Sequence, residues 1–158
     1  MSPKNRNPLP TEVKKKVGAI LLPLVYDAIE LKNQVKLAHW NLHDPEFISV
    51  HRLLDEVADT IDEGTDEVAE RARQLGIVTD ASTSKVAETT TLDAFPEGIV
   101  SAKVACEAIL SGIVKVVAAL HKAIDDTAEA GDAVTSDLLT QVSGKLEIHL
   151  WFFESRLG

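Results

Sequence analysis

Between His39 and Glu70 the chain reads HWNLHDPEFISVHRLLDEVADTIDEGTDEVAE, and two spaced pairs of side chains in it could bind a metal ion, His51 with Asp55 and Asp66 with Glu70. Each pair has i,i+4 spacing, which places its members on one helix face. At roughly 100° per residue all four fall within an arc of about 100° on one side of a helix. His51 and Asp66 are nevertheless fifteen residues apart, which at 1.5 Å per residue is roughly 22 Å and beyond the span of one metal site. The pairs can meet if the helix packs against its own antiparallel copy across a two-fold axis near Ile61. That operation sets His51 and Asp55 of one chain opposite Asp66 and Glu70 of the other and makes two equivalent sites. His39, at the end of the preceding helix, can add a second imidazole to the His51/Asp55 half. Two imidazoles and three carboxylates suit first-row divalent iron, zinc or manganese. A solvated acidic helix face with one incidental histidine would carry the same residues.

The element that must position these side chains is one long helix from about Pro45 to Leu75. Asp44 is a strong N-cap type, Pro45 is tolerated at the first helical position, and Glu46 complements the positive helix end. Phe47, Val50, Leu53, Leu54, Val57, Ile61, Val68 and Leu75 recur at helical spacing until Gly76. Ahead of it, a first helix is expected from Thr11 to about Leu42, burying Val17, Ile20, Leu21, Leu24, Val25, Ala28, Leu31, Val35 and Ala38, with a kink between Ala19 and Pro23.

Residues 77–95 are polar and rich in Ser and Thr, with room for one short helix around Thr83 to Glu88. A segment of this size suits the crossover of a four-helix bundle with up-down-down-up connectivity. A third long helix is expected from near Pro96–Gly98 to Ala130, and a fourth from an N-cap at Asp132 to Arg156. In the fourth, Trp151 reads as core and His149 as surface or interface.

Ordinary di-iron bundles use Glu-x-x-His pairs within one chain. This chain has none, because the residues three positions before its five histidines are Lys36, Trp40, Ile48, Ala118 and Leu146. The absence favours a site shared between subunits.

The 158 residues, 45% apolar and only 4% aromatic, fit one all-α domain with a core of Ala, Val, Leu and Ile. The single Cys106 excludes an internal disulfide and fits a reducing cytoplasm. No signal peptide is visible, and the apolar runs look too short for a membrane span, broken as they are by Lys103, Glu107 and Lys115. The net charge of −9 is uneven: Lys4, Arg6, Lys14, Lys15 and Lys16 against Glu12 give residues 1–16 a net +4 and leave −13 for the rest. Residues 1–10 therefore read as a mobile basic tail before a bundle domain at 11–158. An acidic body attracts cations and repels DNA, so nucleic-acid binding would depend on the tail.

The chain resembles the Dps family, the mini-ferritins also called DNA-binding proteins from starved cells. The resemblance rests on His39-Trp40-Asn41, Phe47-Ile48, His51, Leu54-Asp55, Asp66, Ala69-Glu70-Arg71 and Leu75-Gly76. It continues through Thr135-x-Asp137-Leu138 and Leu150-Trp151-Phe152-x-Glu154-Ser155. The resemblance implies a ferritin-like four-helix bundle whose crossover helix lies near a two-fold dimer contact. It implies a homo-dodecameric cage with a ferroxidase site shared between subunits, where His39, His51 and Asp55 of one chain and Asp66 and Glu70 of its partner hold two ferrous ions. Asp55 would bridge or anchor the tighter iron, and hydrogen peroxide would be the oxidant. The product would be a stored ferric oxide-hydroxide core.

The same resemblance makes Trp40 a sacrificial electron donor; an ordinary aromatic packed between the first two helices is the alternative. It also makes Asp132 and Asp137 the first choices among the acids of the last turn for lining a three-fold pore. Asp59 and Asp62 read either as nucleation carboxylates or as a solvated face, and His43 departs from the family pattern and receives no role. Two functions follow: a cytoplasmic iron-storing ferroxidase that protects DNA and cell from oxidative damage, with DNA binding weak or absent, or a nucleoid-associated protein that compacts DNA. A third, hydrolysis by zinc at the same ligands, shares the residues.

Overall fold

The computed structural model describes residues 5–158, and Lys4 with the start of the basic tail lies outside them. Five helices follow in order: α1 Thr11–Asn41, α2 Phe47–Gln74, α3 Thr83–Thr89, α4 Ala102–Glu129 and α5 Ala133–Leu157. No strand occurs among the described residues, only an isolated bridge between Leu42 and Val100. The four long helices form the expected bundle. α1 packs against α2 and α4, α5 against α4 and α2, and α3 lies on α1.

The bridge fixes the connectivity. The Val100 N–H donates to the Asn41 carbonyl at 3.0 Å, and the His43 N–H donates to the Val100 carbonyl at 3.0 Å. The start of α4 therefore lies beside the end of α1 and the start of α2, so residues 75–101 must travel the length of the bundle. Asp27 holds this crossover midway. Its buried carboxylate accepts from the Thr90 hydroxyl at 2.9 Å and from the Thr91 N–H and hydroxyl, each at 2.7 Å.

α1 stays helical through Pro23. An interior proline costs about 3 kcal/mol, while each fully buried Leu or Val contributes roughly 1.5–3 kcal/mol. Leu21, Leu24 and Val25 beside it are all buried, so packing outweighs the missing hydrogen bond. α2 ends at Gly76, whose φ of +85° lets the Ile77 N–H turn back to the Ala72 carbonyl at 3.0 Å.

Several expectations are corrected. Asp44 precedes α2 by a turn and does not cap it: one carboxylate oxygen accepts from the Glu46 N–H at 3.0 Å, the other from the Ala102 N–H of α4 at 3.1 Å. These N–H donors hold the Asp44 carboxyl below its usual range. α4 begins at Ala102 and not near Pro96–Gly98, because residues 99–100 are extended against α1 and Ser101 supplies the cap, its hydroxyl accepting from Val104 N–H at 3.3 Å. On α5 the two aromatic placements are exchanged. Leu139, Val142, Leu146 and Phe153 set the buried stripe, which takes in His149 at 7% exposure and leaves Trp151 at 61%.

The described part of the tail is not free either. Asn5 Nδ2 donates to the Gln74 carbonyl at 2.9 Å, Lys14 Nζ donates to Asn5 Oδ1 at 2.9 Å, and Leu9 packs on the core. α4 also contains an 18-residue window of mean hydropathy 1.7, so it is long and apolar enough by composition to cross a membrane, contrary to the reading of short, interrupted runs. It sits in the bundle as a core helix, burying Ala105, Cys106, Ile109, Ile113, Val116 and Leu120. Burial pushes the Cys106 thiol up in pKa, which makes it a poor nucleophile.

Candidate metal centre

α1 and α2 are joined by a short connection, so the last turn of α1 lies beside the second turn of α2. That apposition brings His39 against His51 and Asp55. One ligand atom from each of these three lies within 4.8 Å of the others, and no other such group of three occurs among the described residues. His39 is nearly buried, while His51 and Asp55 are partly exposed and open the site to solvent.

The two imidazoles stack with centroids 3.6 Å apart and planes at 21°, and Phe47 stacks on His51 at 4.7 Å. His39 Nδ1 lies 3.1 Å from the His51 carbonyl, and His51 Nδ1 lies 3.2 Å from the His39 carbonyl. A carbonyl oxygen only accepts, so each Nδ1 must carry the proton. Each Nε2 is then left with its lone pair, the state a metal ion requires. The His39 carbonyl belongs to the last turn of α1, where helix carbonyls lack an intrahelical partner, so His51 also completes the end of α1.

Asp55 supplies the carboxylate. Its Oδ1 lies 2.8 Å from Lys36 Nζ and 3.3 Å from His39 Nδ1. The hydrogen bond from Lys36 and the positive charge of its ammonium hold the Asp55 carboxyl below its usual range against the opposing effect of burial. Asp55 is therefore ionised over a wider acid range than a free aspartate. Sequence reasoning misses Lys36 as a site residue, although its position three residues before His39 on the same helix face is a usable signal. Three donors of this kind fill one side of a first-row divalent ion and leave its other positions open.

Asp66 and Glu70 do not join this group. Both lie on the far half of α2 and are exposed, and among the described residues neither side chain has a hydrogen bond or ion pair. Asp66 lines a groove with Val25, Ile29, Asp62, Ala69, Thr79 and Ala81, and Glu70 lines another with Glu67, Arg71, Gln74, Val134 and Leu138. Within one chain, then, His39, His51 and Asp55 come together while Asp66 and Glu70 stand apart from them.

Trp40 is 66% exposed, which excludes the alternative of an aromatic packed between α1 and α2 in one chain. Asp59 is exposed, and Asp62 pairs with Lys32. Of the two pore candidates, Asp137 accepts from Gln141 at 2.8 Å in a solvent-exposed hydrogen bond. Asp132 is corrected: its side chain is 1% exposed and committed to Arg71 at 2.9 Å, besides capping α5 by accepting from the Thr135 N–H at 3.1 Å. A carboxylate so occupied is not free to line a passage.

A family model described as a ferritin-like domain matches residues 19–158. The DNA protection during starvation protein of Agrobacterium fabrum is 39% identical over 154 residues, 98% of this chain and 95% of that protein. The chain belongs to the Dps family. Among solved structures, Dps from Microbacterium arborescens in its high iron form has a TM-score of 0.89 at 31% identity, covering 97% of both chains. DpsC from Streptomyces coelicolor has a TM-score of 0.94 at 28% identity, covering 100% of this chain and 92% of that one. The five-helix order and the long α2–α4 crossover are thus those of a Dps subunit with a ferritin-like fold.

Proposed function

We propose that this Dps-family protein is a ferroxidase that oxidises ferrous iron with hydrogen peroxide at sites shared between two-fold-related subunits and stores the ferric product in a dodecameric cage. The observation that carries this reading is the pair of stacked imidazoles whose Nδ1 protons are committed to backbone carbonyls, beside an ionised Asp55. Iron storage and DNA protection in general are in keeping with the family and the ferritin-like fold.

Ferrous iron is the substrate. His39, His51 and Asp55 of one chain receive one ion, and Asp66 and Glu70 of the partner complete the site for a second. Two ferrous ions each give up one electron, the peroxide O–O bond accepts both, and its oxygens leave as water after taking two protons. A lone ferrous ion would supply one electron and leave a hydroxyl radical. The exposed Trp40, next in sequence to His39, would take up stray oxidising equivalents in this reading. Asp137 remains the candidate for a carboxylate at an iron entry pore.

The reading assigns DNA a minor part. Arg6 is the one cation on the described residues of the tail, and at the start of α1 Lys15 is paired with Glu12. The place of action is the cytoplasm, where the reduced Cys106 and ferrous iron are both at home. Anaerobic titration with ferrous iron followed by peroxide is the test. About two irons bound per subunit, then oxidised with one peroxide per two irons, is the expected result. A protein that binds no ferrous iron, or retards duplex DNA at physiological ionic strength without oxidising iron, contradicts the reading.

A further inference from the structure

Arg71 is next in sequence to Glu70, yet it is buried, and its guanidinium bonds three residues there. Nη2 donates to both Asp132 oxygens at 2.9 and 3.1 Å, Nε to the Thr135 hydroxyl at 2.8 Å, and Nη1 to Gln74 Oε1 at 3.2 Å. The two charged side chains are 8% and 1% exposed. A buried ion pair of this kind is seldom needed for stability, since an apolar pair of similar volume does as well. Its place in the fold gives it another use. Arg71 borders the same groove as Glu70 and Glu67, and Glu67 is already held by Lys145 at 3.1 Å. Glu70 is the unpaired carboxylate of that groove.

We propose that Asp132 serves the iron site by sequestering Arg71, so that the Asp66/Glu70 half keeps its full negative charge for a divalent cation. The inference rests on the reading that Asp66 and Glu70 form the partner's half of a shared site. An uncommitted guanidinium beside Glu70 would act twice against metal binding, by pairing with the carboxylate and by repelling the incoming cation across a poorly screened distance. Asp132 is well suited to prevent this, because its position as the N-cap of α5 and the Thr135 contacts hold the carboxylate facing Arg71. Asp132 is thus a positioning residue that acts through Arg71 and touches no iron.

The test uses the assembled protein titrated calorimetrically with Co²⁺, a divalent ion that peroxide-free buffer leaves unoxidised. Asp132→Asn keeps the N-cap while removing the negative charge and one of the two acceptor oxygens that hold the guanidinium. Metal bound through Glu70 should weaken by about tenfold or more, the scale seen when partners of metal ligands are altered, while metal at His39/His51/Asp55 is unchanged. Removing the freed cation in Arg71→Met/Asp132→Asn should restore the affinity to near wild type. A merely structural pair would not give this loss and rescue, and thermal unfolding of both variants confirms that each is folded. Equal affinities in wild type and Asp132→Asn, or a double variant as weak as Asp132→Asn, would overturn the inference. Glu70→Ala separates the two levels: if it leaves the titration intact, the shared site itself is wrong, whereas if it abolishes one class of metal and Asp132→Asn does not, only the role of Asp132 fails.

Discussion

His39 and His51 hold each other through their backbones: each imidazole Nδ1 faces the other residue's carbonyl, at 3.1 and 3.2 Å, while the rings stack at 3.6 Å. The arrangement sets both tautomers before any metal arrives. Imidazole nitrogen NMR of the metal-free protein above the histidine titration range should therefore find the Nδ1-protonated form at both residues, the less common one for a free histidine. Nε2 protonation at His51 would mean that the lone pair needed for iron is not preformed.

Lys36 acts on the same site from the other side. Its ammonium occupies Asp55 Oδ1 at 2.8 Å and is the main reason that the carboxyl titrates low. Lys36→Met removes a competing cation, so ferrous affinity near neutral pH should rise, but by no more than about fivefold, since ion pairs this exposed are weak. The variant should also become more acid-sensitive. With Lys36 gone the Asp55 pKa moves back up, and the carboxylate is protonated at a higher pH on the way down. Metal titrations across the acid range check both signs, and an unshifted acid limb would show that Lys36 does not control Asp55.

His149 gives the bundle a pH dependence of its own. Its Nε2 lies 2.8 Å from the Thr60 hydroxyl between α5 and α2, and its Nδ1 has no partner. Burial lowers its pKa from the ordinary 6.5, partly offset by Glu56 on α2, while Phe152 packs on its edge. A base with a depressed folded-state pKa favours the fold while neutral. The contribution is complete above about 6.5 and is lost as the pH falls from there toward the folded pKa, where only the unfolded chain is protonated. Melting temperatures of wild type should drop over that window more steeply than those of His149→Gln. Parallel curves would remove His149 from the account.

The DNA reading also has a direct measurement. With the body acidic and residues 1–10 carrying only Lys4 and Arg6 as basic side chains, duplex retardation should be confined to low salt. It should disappear when residues 1–10 are deleted, because a tail without its cations neutralises fewer phosphates and releases fewer counterions. Retardation that survives at physiological ionic strength would place the binding surface on the bundle.

The bundle and the His39/His51/Asp55 half were legible in the sequence because both rest on helical periodicity and local spacing. What escaped depended on pairings between distant segments. Asp44 looks like a cap for α2, yet one of its oxygens accepts from Ala102, fifty-eight residues away. Pro96 looks like a helix start, but the pairing of Val100 with Asn41 holds the chain extended until Ser101. On α5, Trp151 reads as core in the sequence, whereas the phase set by Leu139, Leu146 and Phe153 puts His149 inside instead. Asp132 was readable as a cap but not as the partner of Arg71, sixty-one residues earlier. No local pattern encodes such pairs.

The proposed division of the site between chains yields the last prediction. His51→Ala removes an imidazole from the assembled half, and Glu70→Ala removes a carboxylate from the open half, so each variant alone should assemble but oxidise iron slowly. When the two are dissociated and reassembled together, a mixed dimer sets the intact His39/His51/Asp55 of one chain opposite the intact Asp66/Glu70 of the other. That dimer holds one whole site and one doubly damaged site. Random pairing makes half of the dimers mixed, so about a quarter of all sites should be whole under isologous geometry. Peroxide-driven oxidation should then recover to roughly a quarter of the wild-type rate, in proportion to the whole sites. Subunit exchange must be confirmed by mass labels in the same sample. With exchange confirmed, a mixture no more active than its parents would show that the ligands do not meet across the two-fold axis, and the roughly 22 Å between His51 and Asp66 along α2 would then leave Asp66 and Glu70 with no part in the site.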